Sequence, residues 1–236
     1  MDEFTLSNYL NNPEANAKAL ANYKKRYATI RGKITSRWYI NNSTKTIIAV
    51  IKIPSEKTKN VYYDVIFEFK GSNPGDTSRK LKMLPIRVFS NCPSFVYADA
   101  NYFKQKGWLI DWAMSLYDPK AFPEEEKKDD TIKDAKPASF KYEKSLYYAC
   151  LYISGLNAIT VLKNINSAMT VVSTKQILMH IKDTNTAMTR RQTKVKTEKT
   201  IDKAAKDIQK ASKGILKVPS VGKIKSVKKT GKIKHI

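Results

Sequence analysis

Two histidines, His180 and His235, and two cysteines, Cys92 and Cys150, are the residues through which metal or nucleophilic chemistry would most readily run. Their spacing supports neither. A zinc site needs close pairs such as Cys-x-x-Cys, because four ligands must converge on one ion, and these four residues are scattered. Gly222-Lys223 lacks the upstream glycine and the following Ser or Thr of a phosphate-cradling loop. Glu124-Glu125-Glu126 with Asp129-Asp130 carry charge enough for Mg²⁺ or Ca²⁺, but without the ligand spacing of an EF-hand they read as a solvated linker. A Mg²⁺-dependent nucleic-acid-processing enzyme would have to gather carboxylates such as Asp64, Glu68 and Asp99 by folding. Asp99 and Asp111, which flank an aromatic stretch, read first as surface residues. The expectation is a protein that is not an enzyme, with no cofactor, no metal and no small-molecule ligand.

Cationic chemistry is another matter. The 236 residues include 44 Lys or Arg against 21 Asp or Glu, a formal net charge of +23. So large a single-sign charge repels itself in a folded domain and points to a polyanionic partner: nucleic acid, an anionic membrane or an acidic protein face. The segment 190–236 holds 16 of the basic residues and only Glu198, Asp202 and Asp207 as acids, so it supplies +13 of the +23. From Ala211 onward there are eight lysines and no acid. The candidate polyanion-binding residues are Arg190, Arg191, Lys194, Lys196, Lys223, Lys225, Lys228 and Lys229. A lysine-rich, aromatic-free arm follows phosphate charge without reading bases, so its binding should be sequence-independent and steeply salt-sensitive.

The elements that would carry this arm follow from periodicity. Asn12-Pro13-Glu14 reads as an N-cap with Pro at the first helical position, opening a helix to about Ile30. Lys24-Lys25-Arg26 and Arg31 fall at its C-terminal end, where cations complement the helix dipole. Three strands are expected at 33–40, 46–53 and 61–69, rich in β-branched and aromatic residues and separated by turn-forming stretches. Asp64, Glu68 and Lys70 alternate with apolar residues, as in a half-buried strand. A fourth strand is expected at 80–89, at an edge because of Pro85. Short connections favour an antiparallel sheet.

Dense aromatics from Phe89 to Trp112 read as core, with a base-stacking platform as the alternative, and 108–116 resembles a short helix. Beyond a polar linker at 118–140, one long helix is expected at 142–169 and another from Ser173-Thr174. Ser145 to Leu162 carries no charge, but its Ser, Asn and Thr favour a buried helix over a membrane span. The acidic start Met1-Asp2-Glu3-Phe4 does not resemble a secretory signal, and two cysteines suit a reduced protein. The segments are thus 1–117 (helix plus sheet), 118–140 (linker), 141–189 (helical) and 190–236 (basic arm). Whether 1–117 and 141–189 share one core is left open by these signals. The expected fold class is α+β: N-terminal helices, a small antiparallel sheet, a long C-terminal helical region and an extended basic arm.

Within the aromatic block, the run Pro85-Ile86-Arg87-Val88-Phe89-Ser90-Asn91-Cys92-Pro93-Ser94-Phe95-Val96-Tyr97, with Tyr102-Phe103 and Gly107-Trp108-Leu109-Ile110, resembles a stretch in structural proteins of tailed bacteriophages. The resemblance includes no catalytic signature. It implies a virion component, in capsid, neck, tail or interior, whose partners are other subunits and packaged DNA. The alternative is a free, cytoplasmic, sequence-independent DNA- or RNA-binding accessory protein.

Overall fold

A computed structural model describes residues 3–12, 17–56, 58, 60–73, 75–76, 78–118 and 142–215. The architecture is α+β. Short helix α1 (Leu6–Leu10) and helix α2 (Ala17–Ile30) precede strands β1 (Thr35–Asn41), β2 (Thr46–Pro54) and β3 (Tyr62–Phe69). Helix α3 (Ser78–Met83), strand β4 (Ile86–Ser90) and helix α4 (Ala100–Gln105) follow, with a π-helical turn at Phe95–Asp99 and a 3₁₀ turn at Asp111–Leu116. Helices α5 (Lys144–Gly155) and α6 (Ala158–Asn166), strand β5 (Met169–Val171) and helix α7 (Thr174–Ile215) complete the described elements.

The sheet order is β4-β3-β2-β1-β5. β1 to β4 pair antiparallel as expected, and β5 adds a fifth strand parallel to β1, so the sheet is mixed. Residues opposite each other share a face. Ser36, Ile51, Val65 and Ser90 form one row across the sheet, and Arg37, Val50, Ile66 and Phe89 form the adjacent row on the opposite face. Helix α5 covers the first face: the Ser145 and Ser90 hydroxyls lie 2.9 Å apart, and Tyr152 reaches Ser36 at 3.4 Å. The first turns of α7 cover the second face, with Ile177 and Ile181 buried and His180 stacked on Tyr39.

Cover on both faces corrects the half-buried expectation for β3, where Asp64 and Glu68 are 1% and 2% exposed. Each is tolerated because a cation sits opposite it. Lys52, the β2 partner of Asp64, donates to it at 2.6 Å, and Arg87, the β4 partner of Glu68, reaches it at 2.5 Å. The outer edge of β4 is also closed. Val88 donates its N–H to the Trp108 carbonyl and accepts from Ile110, which removes a bare strand edge.

The chain on the two sides of the 118–140 linker contributes to one core, since Leu146, Cys150 and Ile153 of α5 are buried with Ile51, Val65 and Phe67 of the sheet. Beyond Asp118 the linker lies outside the described residues, as do 13–16, where the first turn of α2 is expected, and the described helix begins at Ala17. Two compact units result, Met1–Thr186 and Ala187–Ile236.

Two element boundaries differ from expectation. Residues 80–83 belong to helix α3, because Arg79, Lys80, Leu81, Lys82 and Met83 are good helix formers and Leu81 buries its side chain; the strand starts only after Pro85. The expected helix at 142–169 is broken into α5, α6 and β5. Asn157 caps the N-terminus of α6 by accepting from the Thr160 N–H at 2.7 Å, and this local cap after Gly155 outweighs apolar continuity. The two helices meet at a 103° bend, and no single helix among the described residues is long and apolar enough to cross a membrane.

The aromatic block is largely core. Phe89, Phe95 and Phe103 are buried, Phe4 stacks on Trp108 at 4.7 Å, and Phe103 meets Phe4 edge-on at 5.3 Å. Rings so engaged cannot also stack on bases. Tyr97, Tyr102, Trp108 and Trp112 are half-buried, and Lys106 lies over the Tyr102 ring.

Candidate functional site

Of the eight residues singled out as polyanion ligands, Arg190, Arg191, Lys194 and Lys196 fall on the α7 backbone, where their side chains are not described. Lys223, Lys225, Lys228 and Lys229 lie outside the described residues. Farther along the same helix, Thr197 and the run from Thr200 to Asp207 are exposed without exception, Ile201 among them. The mix Ile201-Asp202-Lys203-Ala204-Ala205-Lys206-Asp207 offers no apolar stripe wide enough to pack.

The root of α7 is built differently. Arg37 donates to the Thr184 hydroxyl at 2.6 Å, and the Thr184 hydroxyl in turn donates to the His180 carbonyl at 2.7 Å. Asn185 bridges the buried ion pair: its amide donates to Asp64 at 2.8 Å and its carbonyl accepts from Lys52. The backbone of Asp64 is itself locked, its N–H donating to the Asn91 side chain at 2.8 Å and its carbonyl accepting from the Asn91 N–H at 3.1 Å. Asp64 thus acts as a positioning carboxylate that ties β2, β3, the segment after β4 and α7 together. Asn185 carried no signal in the sequence, because only folding brings it to the sheet.

A second polar centre is a cavity of about 400 Å³ where α2, the end of β2 and the start of α5 meet. Glu56 is its hub, accepting from Tyr148 at 2.6 Å, Arg26 at 2.9 Å and Lys144 at 3.1 Å. Burial alone would raise the Glu56 pKa, but the hydrogen bonds from Tyr148 and Lys144 and the charges of Lys144 and Arg26 outweigh it and hold the carboxyl below its ordinary value. Tyr148 moves the other way: burial and the Glu56 carboxylate keep its phenol protonated far above the usual range. Glu143, also at the cavity, caps α5 and is fully engaged, accepting from the N–H groups of Ser145 and Leu146 and the hydroxyls of Ser94 and Ser145. Carboxylates committed in this way hold α2, the end of β2 and the start of α5 together.

Glu56, Glu143 and Asp99 all line the cavity at the start of α5. Asp99 ends the π-helical turn at the cavity, whereas Asp64 and Glu68 are held in their cross-strand pairs. Burial pushes the Cys150 thiol well above its ordinary pKa, which disfavours the thiolate. Among the described residues, no group of three or more His, Cys, Asp or Glu is disposed to hold a metal ion.

No protein-family model, characterised protein or solved structure matches this chain.

Proposed function

We propose that this chain is a non-enzymatic structural component of a nucleoprotein assembly, with a bacteriophage particle as the setting. The folded body makes contacts with other subunits. The distal part of α7 and the segment after it form a basic arm that neutralises phosphate or follows acidic grooves on neighbours. The observation that carries this reading is the change of character along α7: its root is buried and clasped, while its described distal side chains expose every face. A helix without a packed face, in the half of the chain's sequence with the greatest charge density, gains stability from a partner of opposite charge. The phage setting rests on the resemblance at 85–110 alone.

The test is a salt titration of binding to random-sequence duplex DNA, comparing the full chain with one ending at Thr189. The full chain should bind with an affinity that falls steeply with salt, each neutralised phosphate adding about 0.9 to the log–log slope, and the shorter chain should lose most of that slope. Weak binding by both would send the arm to a protein neighbour. A shorter chain that unfolds would overturn the division between body and arm. The assembly reading expects this binding to tighten when other particle proteins are added, and binding by the full chain already at its tightest without them would favour the free accessory protein.

A further inference from the structure

Between Glu14 and Glu56 the sequence contains no Asp or Glu, yet it holds Lys18, Lys24, Lys25, Arg26, Arg31, Lys33, Arg37, Lys45 and Lys52. Residues 1–189 as a whole carry 28 basic and 18 acidic side chains, so these nine cations account for nearly all the excess charge outside the arm. The fold sorts them. Lys52 is spent on Asp64, Arg26 on Glu56 and Arg37 on Thr184, and Lys45 lies in the turn between β1 and β2. Lys18, Lys24, Lys25, Arg31 and Lys33 remain, all exposed and none in an ion pair among the described residues.

Lys18, Lys24 and Lys25 sit on helix α2, and Arg31 and Lys33 in the 3₁₀ turn that continues it. Helix α2 faces the core with Leu20, Tyr23, Tyr27 and Ile30, spaced three and four residues apart, and Tyr23 and Tyr27 rest on Tyr148. Lys18 and Lys25, seven residues apart, lie on the opposite side. Lys24 and Arg31 repeat the same interval on one flank, and Lys33 follows in the 3₁₀ turn Arg31–Lys33. At 1.5 Å per residue the row from Lys18 to Arg31 runs about 20 Å.

We propose that the outer face of α2 and the turn after it form a second polyanion surface, on the folded body and separate from the arm, that lies along the phosphates of a duplex nucleic acid. Three features select this partner. A membrane-surface helix turns apolar side chains toward lipid, but here the apolar stripe is already packed inward. A protein hot spot would need an aromatic or apolar anchor, and the residues between the cations are Ala21, Asn22, Ala28 and Thr29. Single-strand binding leans on exposed rings, and the two tyrosines of α2 point to the core. What is left is a row of compact charges, suited to backbone phosphate and indifferent to base sequence.

The test uses the full chain and a random-sequence duplex, with affinity measured across a salt series. A face variant (Lys18, Lys24, Lys25, Arg31 and Lys33 all changed to Gln) is compared with an arm variant (Lys223, Lys225, Lys228 and Lys229 changed to Gln). The face variant should bind at least tenfold more weakly at low salt, with a log–log slope shallower by about 4. A third variant that exchanges Lys for Arg and Arg31 for Lys at the same five positions should bind like the parent. Near-ultraviolet circular dichroism checks that the tyrosine packing of α2 is intact in each. A folded face variant with the parent's affinity and slope overturns the proposal, and if the arm variant alone loses slope the proposed function survives it. Loss in the face variant alone supports the second surface and removes the arm from phosphate. A full chain that binds anionic phospholipid vesicles but no duplex overturns both.

Discussion

The two ends of α7 make the most instructive contrast in the molecule. At the root, a few residues are held by everything a core can offer: Ile177 and Ile181 buried, Thr184 and Asn185 hydrogen-bonded to the sheet. At the distal end Ile201 lies open to water beside Asp202, Lys203, Lys206 and Asp207. Isolated helices in water are marginal, and most helical stability in proteins comes from a packed face. The same helix is therefore packed against the sheet at one end and open to water at its described distal turns.

The hardest way to test the root is to strip the clasp of its carboxylate. Asp64→Ala leaves Lys52 without its counter-charge in a buried place and should cost about 3–5 kcal/mol in urea unfolding. Replacing both, Asp64→Leu with Lys52→Met, should recover most of that loss, because no charge is then stranded. A matched pair of truncations compares the two ends directly. Ile177→Ala should destabilise by about 2–5 kcal/mol, whereas Ile201→Ala should stay within about 0.5 kcal/mol. Equal effects in the same unfolding assay would abolish the contrast. A smaller loss, about 1 kcal/mol, is expected for Thr5→Ala, which removes the cap accepting the Asn8 N–H at 3.0 Å.

Titration sharpens the picture of the body. Burial raises the pKa of Tyr9, Tyr23, Tyr27, Tyr39, Tyr142, Tyr147 and Tyr148 above the ordinary value of 10. For each, the unfolded chain loses its proton first, so their contribution to stability is complete below pH 10 and is lost as pH rises through the folded values. Alkaline unfolding should therefore begin near pH 10 and coincide with the appearance of phenolate absorbance. Glu56 works in the opposite sense: its folded pKa is lowered from 4.5, so its contribution is present above that value and is lost as pH falls through the folded one. Glu56→Gln should remove that part of the acid sensitivity, read as a flatter stability curve below pH 5.

What is legible in the sequence depends on how local the cause is. β1, β2 and β3 can be read because β-branched runs sit between turn-formers such as Asn41-Asn42-Ser43, and the start of α7 because Thr174 opens an apolar-periodic stretch. The strand at Met169–Val171 is too short for any period, and only pairing with β1 makes it one. The α5–α6 break hangs on one side-chain cap at Asn157 inside an apolar run. The polar centres are less visible still. Glu56 finds Arg26, Lys144 and Tyr148 across long stretches of chain, and no spacing rule reaches that far. The acid-free interval from 15 to 55 can be counted in the sequence, but only folding separates the cations that enter ion pairs, Arg26 and Lys52, from those left exposed on and after α2.

The order in which the core is assembled has a consequence for synthesis. Residues 35–90 supply four of the five strands, but the helix covering one face of the sheet comes from residues 144–155 and the cover of the other face from 177–185. At about 5–20 residues per second, a ribosome would leave a strand pair such as β2 and β3 with apolar faces bare for roughly 4–15 seconds before α5 emerges. During that interval the nascent chain is at its most aggregation-prone, and a holding chaperone or rapid engagement by a neighbouring subunit would matter most then.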